Sequence, residues 1–118
     1  MTVQQAPNYA GSFHNVSHSG PWEHLQTVPL ILYGPSIESN GRVGRPAGVV
    51  DIFPTMGRLA GVELPGRAGR VLHEAVVDAA EPPKLILTVV WDGAGRNVLE
   101  EWRGRWRTLA RMEREGTS

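Results

Sequence analysis

The sequence predicts an α/β fold: a short, mainly parallel sheet flanked by helices, with a loop-rich N-terminal third. Three observations carry that expectation. Val28 to Tyr33 (VPLILY) is an apolar run closed by Gly34-Pro35, the pattern of a short buried strand. Asp51 stands where a helix begins, ahead of a 3.6-residue apolar repeat. Lys84 to Trp91 (KLILTVVW) has the β-branched, unbroken composition of a central parallel strand buried on both faces.

Taken in order, residues 1–27 are polar, rich in Gly, Ser, Asn and His, and show neither period, so they read as loop. In the first strand Pro29 has to sit at the start or on an edge, because it has no N–H to donate. Residues 36–48 form a turn-rich connector. The Asp51 carboxylate is placed to accept from the free N–H groups of the first helical turn, and Pro54 falls early enough to cost no helical bond. Ile52, Met56, Leu59 and Ala60 share one face of that helix, and Gly61 offers its stop. Residues 62–70 read as loop and Val71 to Ala79 as a short helix. Glu81-Pro82-Pro83 is the natural linker, since consecutive prolines interrupt helices and ladders alike. After the second strand, Asp92-Gly93-Ala94-Gly95 turns into helices over Asn97–Trp102 and Trp106–Glu115, separated at Gly104.

At 118 residues there is room for one modest core. Twelve basic residues balance twelve acidic ones, so no global field draws the chain to nucleic acid or to an anionic membrane. The absence of cysteine removes disulfides and thiolate metal sites. The longest apolar run, Leu85 to Trp91 (interrupted only by Thr88), is far short of the roughly 20 residues that span a bilayer. With no basic n-region or apolar h-region at the N-terminus, a cytoplasmic location is expected.

Chemistry enters with the histidines. Imidazole is a favoured ligand for divalent ions such as Zn²⁺, and three of the four histidines, His14, His18 and His24, lie within one short stretch of loop. The surrounding text singles out one of them. SHSGPW followed by VPLILYGPSI resembles the late metal-ligand segment of the alkaline phosphatase superfamily, in its type I phosphodiesterase, nucleotide pyrophosphatase and sulfatase-like branches. That segment reads roughly THGSPY and then VPLIFYGPGI. The resemblance implies a zinc ligand at His18 and none at His14 or His24. Ser19-Gly20 here replaces the usual Gly-Ser, and Leu25 stands where an aspartate is common.

The likeness continues through VVDIFPTMGRLAGVELPGRAGRVLHE, similar to the family's DIAPTLARLLGI segment and the Gly-Arg-Val-Leu that follows it. There the aspartate starts a helix behind the site, which makes Asp51 structural and leaves His73 without a matched role. PKLILTVVWDGAGRNVLEEW, running on to EGTS, resembles the opening of a catalytic domain of the same superfamily. By that resemblance Asp92 binds the second metal, at the C-terminal end of a strand, where α/β folds place ligands. Residues 1–80 thus resemble a C-terminal segment, 81–83 a linker, and 84–118 an N-terminal opening of a partial alkaline-phosphatase-like fold.

The segments therefore stand in reversed order, and the family's nucleophile and middle ligands have no counterpart. One ligand for each of two ions does not hold a binuclear site, since each ion needs about three protein ligands. The chain reads as the junction of two tandem domains or as a rearranged portion of one. The activity implied for a complete site is metal-dependent hydrolysis of a small phosphate ester, with Zn²⁺ as cofactor and two divalent ions in the full set. The isolated chain is expected to be inactive. The alternative is a non-catalytic α/β binding or assembly module that keeps the scaffold. Truncated sheet edges predict self-association.

Overall fold

The computed structural model describes residues 26–78, 80–92 and 94–118. The chain divides into two compact units. The larger joins Leu30–Val89 to Trp106–Ser118; of the other, residues 26–29, 90–92 and 94–105 are described.

In the larger unit a 3-10 turn, Val49–Asp51, runs directly into helix α1, Ile52–Leu59. Pro54 occupies its first turn, where its missing N–H costs nothing. The helix ends in a Schellman motif: Gly61 (φ 68°) donates to Arg58 O at 3.3 Å, and Val62 donates to Gly57 O at 2.9 Å. Gly57 is needed for a different reason. A Cβ there would meet Leu64 Cγ at 3.0 Å, so the returning loop packs on bare helix backbone. The buried face is Pro54, Thr55, Gly57 and Leu59, while Ala60 is exposed and Ile52 and Met56 are half-buried. The expected apolar face is thus rotated towards Thr55. Leu59 joins Leu72, Ala75 and Val76 in a small core. Instead of a helix over 71–79, a single 3-10 turn, His73–Ala75, leads to Val76.

The expected short parallel sheet, and with it the α/β class, is corrected here. Among the described residues there is no strand, only isolated bridges: Leu32 with Thr117 and Ile37 with Val76, both antiparallel, and Gly41 with Thr117, parallel. A strand needs a partner as well as a composition. Of Val28–Tyr33, among the described residues, Leu32 alone bridges, to Thr117 in the short tail Gly116–Ser118, too brief to extend a ladder. Lys84–Trp91, expected to be central, forms no assigned strand and is solvent-facing along most of its length. The tail lies between two segments. Leu32 and Thr117 exchange bonds of 2.8 and 2.9 Å, Gly41 donates to Gly116 O at 2.8 Å, and Val43 donates to Ser118 O at 2.7 Å. Helix α2, Arg96–Glu101, belongs to the smaller unit, and helix α3, Arg107–Glu115, to the larger. Gly104 (φ 93°) lies between them, close to the expected boundaries.

Candidate functional site

The most densely bonded polar cluster of the larger unit is centred on Asp51. Its carboxylate does not cap α1. It turns back instead: Oδ2 accepts from the Gly48 N–H and Oδ1 from the Arg70 N–H, both at 2.8 Å. Only 8% of the residue remains exposed. The two backbone donors, Gly48 first and then Arg70, hold the Asp51 carboxyl below its usual range, because they stabilise the charged form. Close approach of the 69–70 backbone depends on Gly69 (φ 79°). A Cβ there would lie 2.7 Å from the Val50 carbonyl carbon and 2.9 Å from Asp51 Oδ1.

One turn along, the Thr55 hydroxyl donates to Asp51 O at 2.6 Å and accepts from the Leu72 N–H at 3.0 Å. Arg70 adds a fork: its guanidinium binds both oxygens of Glu74, at 2.7 and 2.9 Å, and donates to Pro46 O at 3.1 Å. That hydrogen-bonded pair is the main cause that lowers Glu74 to about 2, and Glu74 in turn raises Arg70. Asn40 donates to Glu74 O at 2.8 Å. Residues 46–51, helix α1 and residues 69–76 are thereby tied into one scaffold.

Chemically, this cluster supports structure. Both Asp51 oxygens are engaged, and the Thr55 hydroxyl is used as donor and acceptor with 1% of the residue exposed. Neither is free to act as base or nucleophile. The reading of Asp51 as structural agrees with this geometry, although its bonds run to Gly48 and Arg70 rather than into α1.

Of the two expected metal ligands, His18 lies outside the described residues, as do His14 and His24. Asp92 is described: it is exposed, in the turn where the Ala94 N–H donates to Trp91 O at 3.3 Å, just ahead of α2. Among the described residues no group of three or more His, Asp or Glu side chains is placed to hold a metal ion. These residues alone therefore do not make the donor set that Zn²⁺ requires. The open cleft beside α1, about 270 Å³ and lined by Arg58, Glu63, Leu64 and Arg67 among others, contains none of the expected ligands. Thr117 is buried and donates through Oγ1 to Glu38 O at 2.6 Å, so its hydroxyl too is structural.

Sequence reasoning does not reach the Arg70–Glu74 fork. Its spacing of four is a helical signal, and here it works across irregular backbone around a 3-10 turn. Nothing local announces the Thr117 bond, since its acceptor is 79 residues away.

Comparison with known proteins gives partial matches to sulfatases. Over 46 residues the chain is 48% identical to the steryl-sulfatase of Mus musculus, covering 38% of this chain and 7% of that protein. Over 44 residues it is 43% identical to the arylsulfatase K of Bos taurus, covering 37% of this chain and 8% of that protein. The chain spans less than a tenth of the length of these curated relatives. Sulfatases belong to the alkaline phosphatase superfamily, so at this coarse level the similarity is to hydrolases of that group. No protein-family model and no solved structure matches the chain. Among the described residues, no helix is long and apolar enough to cross a membrane.

Proposed function

We propose that the chain is a portion of a sulfatase-like, metal-dependent ester hydrolase, carrying a late metal-ligand segment ahead of an opening segment. The observation that carries this reading is the 48% and 43% identity to two sulfatases over more than a third of the chain. In it His18 and Asp92 are metal ligands, one for each of two divalent ions, with Zn²⁺ the ion expected from the resemblance. Such an ion, when bound, polarises the ester and activates the attacking oxygen. The chain's own described contribution is positional. The Asp51, Thr55 and Arg70 network fixes the helix that follows the segment of His18, and Asp92 sits on an exposed turn open to solvent and ligand. The substrate class is a small sulfate or phosphate ester.

A second reading, a non-catalytic module that keeps this scaffold for binding or assembly, is favoured by one observation. Among the described residues no three or more His, Asp or Glu side chains stand together as a metal site, and the acid and hydroxyl of the central network are engaged in hydrogen bonds. Only positive turnover would decide between them, in favour of the first. With p-nitrophenyl sulfate and p-nitrophenyl phosphate, and with or without added Zn²⁺ or Mn²⁺, the isolated chain is expected to release no nitrophenol above background. Steady turnover that disappears in His18→Ala would show a working site and overturn the expected inactivity.

A further inference from the structure

Residues 116–118 are held in the larger unit as a bound peptide would be, between two backbone edges. On one side Leu32 and Thr117 exchange bonds of 2.8 and 2.9 Å. On the other, Gly41 donates to Gly116 O and accepts from the Ser118 N–H, both at 2.8 Å, and Val43 donates to Ser118 O at 2.7 Å. Main-chain pairing of this kind gives affinity, and side chains add selection. Two features supply that selection. A Cβ at position 116 would meet the Leu32 carbonyl, whose carbon would lie at 3.1 Å, so the groove demands glycine there. The buried Thr117 hydroxyl donates to Glu38 O at 2.6 Å. Little else fastens this part of the chain. No residue of α3 is buried, and the Tyr33 bond to Glu115 lies on the surface at 3.4 Å. Residues 84–89, where the chain leaves the larger unit, make no backbone hydrogen bond among the described residues and are exposed apart from Ile86.

We propose that residues 32–43 form a docking groove for a Gly-Thr-Ser segment, and that its partner is the same segment of a second copy, exchanged for the chain's own. The bonds that seat residues 116–118 run to Leu32, Glu38, Gly41 and Val43. The same set forms whether the segment arrives from its own chain or from another. Reciprocal exchange is self-complementary and closes a two-fold dimer. The zero net charge leaves no long-range repulsion to keep copies apart. In a single chain the tethered segment competes at an effective concentration that a free partner has to exceed. The groove therefore opens to a partner in proportion to the fraction of chains whose own segment is undocked. Groove and segment both belong to the larger unit, and their pairing is independent of any metal role for His18 or Asp92.

The experiment is fluorescence anisotropy of a labelled, C-terminally amidated peptide of residues 107–118, titrated with the full chain without added metal. Wild type, Gly116→Ala and Thr117→Val are compared, with circular dichroism to confirm that each variant keeps the wild-type fold. Gly116→Ala displaces its own segment and is expected to bind the peptide about tenfold more tightly than wild type does. Thr117→Val loses the bond to Glu38 O and is expected to act in the same direction, by several-fold. A peptide that itself carries Gly116→Ala is expected to bind none of the three chains. In parallel, wild type refolded from urea at high protein concentration is expected to give a dimer in sedimentation velocity that Gly116→Ala does not form. The docking groove is overturned if no chain binds the peptide up to millimolar concentration, if wild type and both variants bind it equally, or if the two peptides bind alike. A wild type that refolds only to monomer overturns the exchange with a second copy.

Discussion

The Asp51 carboxylate accepts the backbone N–H of Arg70 at 2.8 Å, joining points 19 residues apart in the chain. The same side chain holds Gly48 on its other oxygen, so a single carboxylate fixes both the approach to α1 and the return of the segment that leaves it. An amide in its place keeps one acceptor and turns a donor towards the second N–H. Asp51→Asn is therefore expected to lower the melting temperature by several degrees, while Asp92→Asn leaves it unchanged. Differential scanning calorimetry on the two variants checks this, and equal melting points would contradict the network's role.

Two glycines with similar backbone angles should respond differently. At Gly61 (φ 68°) an added methyl would have only Pro82 Cγ nearby, at 3.4 Å, so Gly61→Ala meets the left-handed backbone cost alone, about 1 kcal/mol. At Gly69 (φ 79°) the methyl also meets the Val50 carbonyl carbon and Asp51 Oδ1. Gly69→Ala should cost clearly more, and urea denaturation of both variants gives the order.

Thr55 supplies a test inside the core. Thr55→Val keeps shape but leaves the Leu72 N–H unpaired in a buried setting, a loss of about 2 kcal/mol by urea denaturation. Thr55→Ser retains the hydroxyl and should lose less. A valine variant as stable as wild type would show that the bond contributes nothing.

Acid should weaken the fold through two carboxylates. Both Asp51 and Glu74 sit below their ordinary values, Glu74 at about 2, whereas in the unfolded chain such groups titrate at about 3.9 and 4.3. Between those limits the unfolded state binds more protons, so stability rises with pH there. Their contribution is complete above about pH 5 and fades as pH falls towards 2. Glu74→Gln removes one of the two groups and is expected to flatten the stability curve over that interval. An unchanged slope would count against the Arg70–Glu74 fork as its source.

The tail contact is accessible to hydrogen exchange. The Leu32, Gly41 and Val43 amides all donate to residues 116–118 and should exchange slowly. A Cβ on Gly116 would meet Met112 O at 2.8 Å and the Leu32 carbonyl carbon at 3.1 Å, which forces the tail away. Gly116→Ala is expected to speed exchange at those three amides by about tenfold, the scale of one hydrogen bond. Unaltered rates would mean that the tail does not hold them.

The local features are legible in the sequence and the relational ones are not. The start of α1, the Pro54 position, the Gly61 stop and the break at Gly104 depend on neighbours in sequence, and each stands close to where composition places it. Strands depend on partners far along the chain. Val28–Tyr33 and Lys84–Trp91 have strand composition, yet among the described residues only Leu32 of them makes a bridge. The Asp51 bonds to Gly48 and Arg70 escape a local reading for the same reason. A helix-start aspartate ordinarily turns into its own helix, and here a glycine at 69 brings a better donor within reach. Asp92 stands out through a family likeness, and its exposed turn is a placement that composition alone would equally give to a capping residue.

The central claim is that His18 and Asp92 are metal ligands retained from a sulfatase-like hydrolase, and calorimetric zinc titration tests it most directly. It is run on wild type, His18→Ala and Asp92→Asn, at a protein concentration where all three sediment as monomers. With one ligand brought to each ion, wild type is expected to bind zinc only weakly, and each variant to bind it at least about tenfold more weakly still. Zinc affinity unaltered by either substitution, or no binding by the wild type, would contradict the claim.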